Sequence, residues 1–209
     1  MDIIAHRGMW TTQEEKNSIA SFIGAFNSEF GIETDIRDAG GQLVIAHDMA
    51  VGNENPLKDV LALTERFQSR SIKSLALNIK ADGLAASLHR ELQGYTDLDI
   101  FVFDMSIPDM RSYLGLGFKV FVRISEVESD PPCLEQCDDV WLDSFTSDWF
   151  SDKLVFEILN SGKRLCVVSP ELHGRNHQNL WNKLVPFAQQ KALMLCTDLP
   201  LEACEFFEI

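Results

Sequence analysis

Residues 1–8 read MDIIAHRG and residues 31–48 read GIETDIRDAGGQLVIAHD, and the way these two stretches end decides the fold. Each holds a short apolar run closed by polar residues: Asp2–Ala5 runs into His6-Arg7-Gly8, and Leu43–Ala46 runs into His47-Asp48. Short runs of this kind, bounded by turn chemistry, read as strands. Between them, Gly31–Ile36 carries Glu33 and Asp35 two residues apart. Side chains alternate along a strand, so both carboxylates fall on one face and can share one cation. Ala39-Gly40-Gly41 is turn chemistry, which makes Leu43–Ala46 the returning half of a hairpin.

Outward from there, apolar runs alternate with amphipathic or capped segments to the end of the chain. Further strands are expected at Leu75–Ile79, Ile100–Phe103, Lys119–Ile124, Val140–Leu142, Arg164–Val168 and Leu193–Cys196. Helices are expected at Ser18–Asn27, Leu57–Gln68, Leu84–Leu92, Ile107–Leu114, Trp149–Asn160, Gln178–Gln189 and Leu201–Phe206. This alternation predicts an α/β fold with a parallel sheet flanked by helices. An open doubly wound sheet competes with a closed (β/α)8 (TIM) barrel. The glycine-rich turn of a dinucleotide fold does not follow the first strand, and eight strand units remain once the hairpin is counted as one. The barrel is the expectation: a single domain spanning residues 1–209, with short loops because the chain is near the lower limit for that fold.

Composition narrows the function. The 209 residues are 45% hydrophobic and 24% charged, an ordinary globular balance, with a net charge of −14. Such a surface repels nucleic acid and anionic membranes, so binding by phosphate neutralisation is excluded. A small anionic substrate stays open, because a divalent cation inverts the field around it. No apolar run approaches a membrane span and Met1-Asp2 leads straight into a strand, so a cytoplasmic protein is expected; oligomeric state is not legible. Five cysteines is an odd count, best read as reduced thiols, and Cys133 and Cys137 have no second His/Cys pair to complete a zinc site.

Active-site residues of a barrel lie at the C-terminal ends of its strands. The polar residues there are His6, Arg7, Glu33, Asp35, His47, Asp48, Asn78, Lys80, Asp104, Arg123, Asp143, Ser169, Glu171 and Asp198. Two histidines able to move protons near neutral pH, an arginine and a paired carboxylate suggest metal-assisted phosphodiester chemistry. Bland alternatives exist for each. His6 alone reads as a core histidine, Arg7 as the partner of a rim carboxylate such as Asp198, and Lys80 as solvated. Asn17 or Ser18 reads as a helix cap.

The ordered pattern IAHRG at 4–8, NS at 17–18, ETD at 33–35, HD at 47–48 and TDLPLEA at 197–203 resembles the glycerophosphodiester phosphodiesterase family. The resemblance implies a (β/α)8 barrel that cleaves phosphodiesters with a divalent cation, usually Mg²⁺ or Ca²⁺. Carried over, it implies His6 and His47 as the catalytic pair and Glu33 and Asp35 as metal ligands. Arg7 and Lys80 would then hold the phosphate. Hydrolysis and cyclisation by a substrate hydroxyl are both open. Trp141 is a candidate floor for a substrate pocket and Arg123 a candidate substrate contact, with core packing and rim electrostatics as their alternatives. The run from Pro170 to Arg175 reads as an active-site loop.

Three departures stand out. Asn78 occupies the position of a third acidic ligand, and its carbonyl can coordinate a hard cation with one negative charge fewer. Asp104 or Glu171 would be the substitute carboxylates. The family's Glu-Asn pair becomes Glu15-Lys16-Asn17. The span between Asp48 and Asn78 is short, which implies an open mouth and a different alcohol group. The alternative function is a barrel with impaired catalysis, acting as a binding or regulatory protein.

Overall fold

The runs expected as strands are buried on both sides, as a parallel sheet covered by helices requires. In the computed structural model, which describes residues 1–67 and 74–209, nine strands form. They are β1 (Asp2–His6), β2 (Gly31–Ala39), β3 (Gln42–Ile45), β4 (Leu75–Ile79), β5 (Ile100–Phe103), β6 (Val120–Ile124), β7 (Asp139–Leu142), β8 (Leu165–Val168) and β9 (Leu193–Thr197). Every residue of β4, β7, β8 and β9 is buried. Seven α-helices follow the strands: α1 (Ile19–Asn27), α2 (Leu57–Arg66), α3 (Ala85–Leu92), α4 (Ile107–Gly115), α5 (Asp152–Asn160), α6 (Gln178–Leu184) and α7 (Pro200–Phe207).

The strand order is β1-β9-β8-β7-β6-β5-β4-β2-β3, with β1 also paired to β2. A sheet whose first strand meets both β9 and β2 is closed, so the expected (β/α)8 barrel is present, with β3 as the extra strand of the hairpin. Contacts gather the chain into two compact units, Ala5–Val120 and Phe121–Ile209 with Met1–Ile4.

In the first unit, β2 runs antiparallel to β3 from Ile36↔Ile45 to Ala39↔Gln42 and parallel to β4 from Ile32↔Leu75 to Ile36↔Ile79. Gly40 and Gly41 close the hairpin with φ of +56° and +83°, the pair of positive values a two-residue turn needs. β2 therefore extends to Ala39, beyond the expected Ile36, because β3 keeps its ladder paired. Ser18 caps α1, its hydroxyl accepting the Ser21 N–H at 3.1 Å. Phe22, Ala25 and Phe26 line the buried face of that helix. α2 ends at Arg66; the expected end at Gln68 lies outside the described residues.

In the second unit, β6 to β9 pair in parallel, from Phe121↔Asp139 through Val168↔Cys196. Two helical expectations change. Trp149 and Phe150 fit a helical period, but Ser151 caps α5, so that helix starts at Asp152. The segment expected as one helix over 178–189 divides into α6 and a short 3₁₀ turn at Val185–Phe187, where Pro186 lacks the N–H that would continue α6. Cys137, Cys166 and Cys196 are buried, and Cys133 and Cys204 are half-buried.

Candidate active site

The end of β1 sets the geometry. Arg7 adopts a left-handed backbone (φ +58°), and its N–H donates to the Glu33 carbonyl at 2.9 Å. Its own carbonyl accepts from the Asn17 N–H and from the Ser21 hydroxyl, both at 3.0 Å. Gly8 follows at φ +84°, and a Cβ there would sit 2.5 Å from Ser21 Oγ and 2.7 Å from the Ser21 backbone carbon. No other residue fits, so the helix start and the strand end are locked together.

This turn sends Arg7 back over β2. Its Nε lies 2.9 Å from Asp35 Oδ2, with the N–H aimed off that oxygen, so the pair is ionic rather than hydrogen-bonded. Asp35 is fully buried and draws two further partners: Asn17 Nδ2 donates to Oδ2 at 2.9 Å, and Lys80 Nζ lies 3.4 Å from Oδ1. Lys80 also reaches Asp104 Oδ2 at 3.6 Å. Arg7 therefore takes Asp35 as its rim carboxylate, and Lys80 bridges two acids instead of standing in solvent.

Glu33 shares the face of Asp35 and is 2% exposed. Burial, with the negative charge of Asp35, pushes its carboxyl up to about 8, while Arg7, Lys80 and a hydrogen bond from Asn78 pull the other way. Its Oε2 stands 3.8 Å from His6 Nε2. Asn78 lies opposite Asp35 in the β2–β4 register. Three buried oxygens, Glu33 Oε2, Asp35 Oδ1 and Asn78 Oδ1, have no hydrogen-bond donor. Buried acceptors left without donors are costly and uncommon in folded proteins. The chemistry of the donor set, two carboxylates and an amide carbonyl, fits an oxygen-seeking cation. Among the described residues no group of three His, Cys, Asp or Glu side chains gathers for a metal, and the third donor here is an amide.

His47 follows the hairpin that carries these acids. The Ala46 N–H donates to the Asp35 carbonyl at 3.0 Å, one residue before it, and Arg37 Nε holds the His47 carbonyl at 3.0 Å. The His47 side chain is half-exposed, with Nδ1 2.9 Å from Asp48 Oδ1. When Nδ1 donates to Asp48, the Nε2 lone pair is left to take or return a proton.

The Glu15-Lys16-Asn17 departure resolves residue by residue. The Glu15 carboxylate is taken up locally, accepting from the Thr11 N–H at 2.7 Å, the Thr11 hydroxyl at 2.8 Å and the Thr12 N–H at 3.2 Å. Lys16 lies over the Trp10 ring, Nζ 4.1 Å from the centroid. Asn17, a candidate cap by sequence, instead builds the site: its amide joins the Asp35 carboxylate to the Thr34 hydroxyl, which donates to Asn17 Oδ1 at 2.8 Å. The Thr12-x-x-Glu15 spacing and the tolerance of Asn for a left-handed backbone (φ +59° here) were the available signals.

The second unit holds the other predicted residues. Arg123 Nε pairs with Glu128 Oε2 at 3.0 Å, and its guanidinium sits 5.7 Å from the Phe145 ring centroid. Trp141 is 4% exposed, on β7. Glu171 is surrounded by donors: the hydroxyls of Ser169 and Thr197, and the Asp198 N–H at 3.1 Å. His173 Nε2 lies 2.7 Å from Asp143 Oδ1, and Arg175 reaches the Ser144 carbonyl at 2.7 Å and the Asp148 carboxylate.

A closed parallel barrel with polar side chains gathered at strand ends defines a class of protein by fold. No protein-family model and no curated protein sequence matches the chain. Solved structures do. An Oleispira antarctica phosphodiesterase, in complex with the product sn-glycerol-3-phosphate, superposes with a TM-score of 0.75 at 16% identity, over 100% of this chain and 97% of that one. A glycerophosphodiester phosphodiesterase from Parabacteroides distasonis gives 0.69 at 17% identity, over 99% and 96%. Another from Agrobacterium tumefaciens gives 0.65 at 16% identity, over 99% and 97%. At these identities the likeness establishes the whole-chain fold.

Proposed function

We propose that residues 1–209 form one domain that acts as a metal-dependent phosphodiesterase, cleaving a glycerophosphodiester or a related small phosphodiester. One observation carries this reading. Glu33, Asp35 and Asn78 present three buried acceptors without donors, beside the cations of Arg7 and Lys80 and the imidazole of His6. The solved structures of like fold, two of them glycerophosphodiester phosphodiesterases, support the substrate class.

Glu33, Asp35 and Asn78 would hold a divalent cation, Mg²⁺ or Ca²⁺, which when bound neutralises charge on the phosphate. Arg7 offers a planar fork of donors to phosphate oxygens, and Lys80 a point charge. Both are held in place by Asp35, so the anion meets cations already fixed in position. His6 and His47 move the protons: one takes a proton from the attacking water or substrate hydroxyl, and the other gives one to the leaving alcohol. Trp141 and Arg123 stay candidates for contact with the substrate.

A panel of phosphodiesters with Mg²⁺, Ca²⁺, Mn²⁺ or chelator tests the class. Turnover of an aryl phosphodiester that chelator abolishes is the expected result; product analysis then separates a monoester from a cyclic phosphate. Asn78 favours one second reading, a binding protein with impaired catalysis, which predicts ligand affinity without turnover in every arm of that panel. The substrate is a small molecule on this reading. Among the described residues no helix is long and apolar enough to cross a membrane.

A further inference from the structure

The excursion between β1 and α1 is short and pinned at several points. The Asn17 N–H on the Arg7 carbonyl ties its two ends together, and the Glu15 carboxylate gathers the N–H groups of Thr11 and Thr12 at its tip. Trp10 is fixed to the strand end itself, its indole N–H donating to the His6 carbonyl at 3.0 Å. Lys16 lies over the face of that indole, its ammonium 4.1 Å from the ring centroid. A positive charge is thereby indexed, through one ring and one hydrogen bond, to the residue that begins the site. The next residue in the chain, Asn17, holds Asp35.

An aromatic face beside a phosphodiester site is a natural seat for a substrate ammonium, since quaternary ammonium groups bind aromatic faces through the ring quadrupole. Here the protein's own ammonium occupies that face. A cationic alcohol arm approaching the ring meets a like charge, whereas an anionic arm meets an opposite one. The wider field makes the local charge matter more: at net −14 the surface repels anions, and Asp35 already offsets Arg7 and Lys80.

We infer that Lys16, seated on Trp10, is a specificity-determining residue that selects phosphodiesters whose second alcohol arm carries a negative charge, a carboxylate or a phosphate. The inference rests on the phosphodiesterase reading and names the substrate class within it. It also gives the Glu15-Lys16-Asn17 departure a purpose: Glu15 shapes the turn, Asn17 builds the site and Lys16 reads the substrate.

Three 4-nitrophenyl phosphodiesters differing only in the second arm make the test: 3,3-dimethylbutyl (neutral), its cationic isostere 2-(trimethylammonio)ethyl, and 3-carboxypropyl (anionic). The readout is the ratio of kcat/KM for the anionic over the cationic ester within each variant, in low salt. The native protein should favour the anionic ester by about five-fold, with the preference fading as salt screens it. Lys16→Met, which keeps an apolar stem on the ring, should bring the ratio near one, Lys16→Glu should invert it and Lys16→Arg should restore it. A native ratio of one or less, or an unchanged ratio in Lys16→Met and Lys16→Glu, overturns the inference. A lower Tm in Lys16→Met with the ratio unchanged also overturns it and makes Lys16 a staple of the turn. No turnover of any ester under any cation sinks the phosphodiesterase reading and this inference with it. Turnover with an indifferent Lys16 sinks the inference alone.

Discussion

The two units place polar clusters at strand ends and finish them differently. At Glu33, Asp35 and Asn78 the cluster keeps three acceptors without donors. At Asp143, Glu171 and Arg175 each charge is met by its own neighbours: His173 for Asp143; Ser169, Thr197 and the Asp198 N–H for Glu171; Asp148 and the Ser144 carbonyl for Arg175. Carboxylates at strand ends thus have opposite surroundings. A network that satisfies itself rigidifies the fold, whereas one left short of donors has room, on the proposed reading, for a cation.

The largest test of that contrast is catalytic. His6→Ala or His47→Ala should each lower turnover by roughly 10²–10⁴ with the thermal melt nearly unchanged; full activity in both variants would end the proton-transfer assignment. Next comes the protonation of Glu33. Its carboxyl is raised from 4.5 to about 8 in the folded chain, so the native state holds a proton that the unfolded state has released across that window. Stability of the metal-free protein should therefore fall as pH rises from about 4.5 to 8 and level off above. Glu33→Gln should flatten that slope in Tm against pH while removing activity, and saturating cation should restore stability at the alkaline end.

Smaller effects separate the other cluster. Glu171→Ala strands the hydroxyls of Ser169 and Thr197 and should cost about 1–3 kcal/mol in denaturant unfolding. Cation affinity measured by calorimetry should hold; a loss there would make Glu171 a ligand and erase the contrast. Finally, Asn78→Glu adds the missing charge and should tighten cation binding by roughly ten-fold, of the order expected for altering groups around a metal. Weaker binding would show that the amide is tuned to its place.

Much of this was legible beforehand because the fold repeats a simple unit. Buried parallel strands read as apolar runs, and Ser18 caps the helix whose period begins beside it. The shared face of Glu33 and Asp35 followed from the two-residue period alone. Asn17 did not, because its role depends on a left-handed backbone and on Asp35 eighteen residues away. The start of α5 was misjudged because Trp149 and Phe150 are apolar at helical spacing while lying outside the helix. Sequence put Asp143 and Glu171 at strand ends, yet their partners come from loops whose course no local pattern encodes.

The hairpin turn at Gly40 and Gly41 has a consequence for how such a site changes over time. β3 joins the sheet through β2 alone, with Val44 bridging Pro56 on its other side. His47 is thus delivered by an appendage, not by a stave of the barrel. On the proposed reading, lengthening, trimming or re-aiming that arm alters one candidate proton-transfer residue without removing any of the eight strands of the ring. On that reading the site can be retuned there by insertion or deletion, a freedom that His6, on a strand whose end is fixed where Gly8 meets Ser21, does not have.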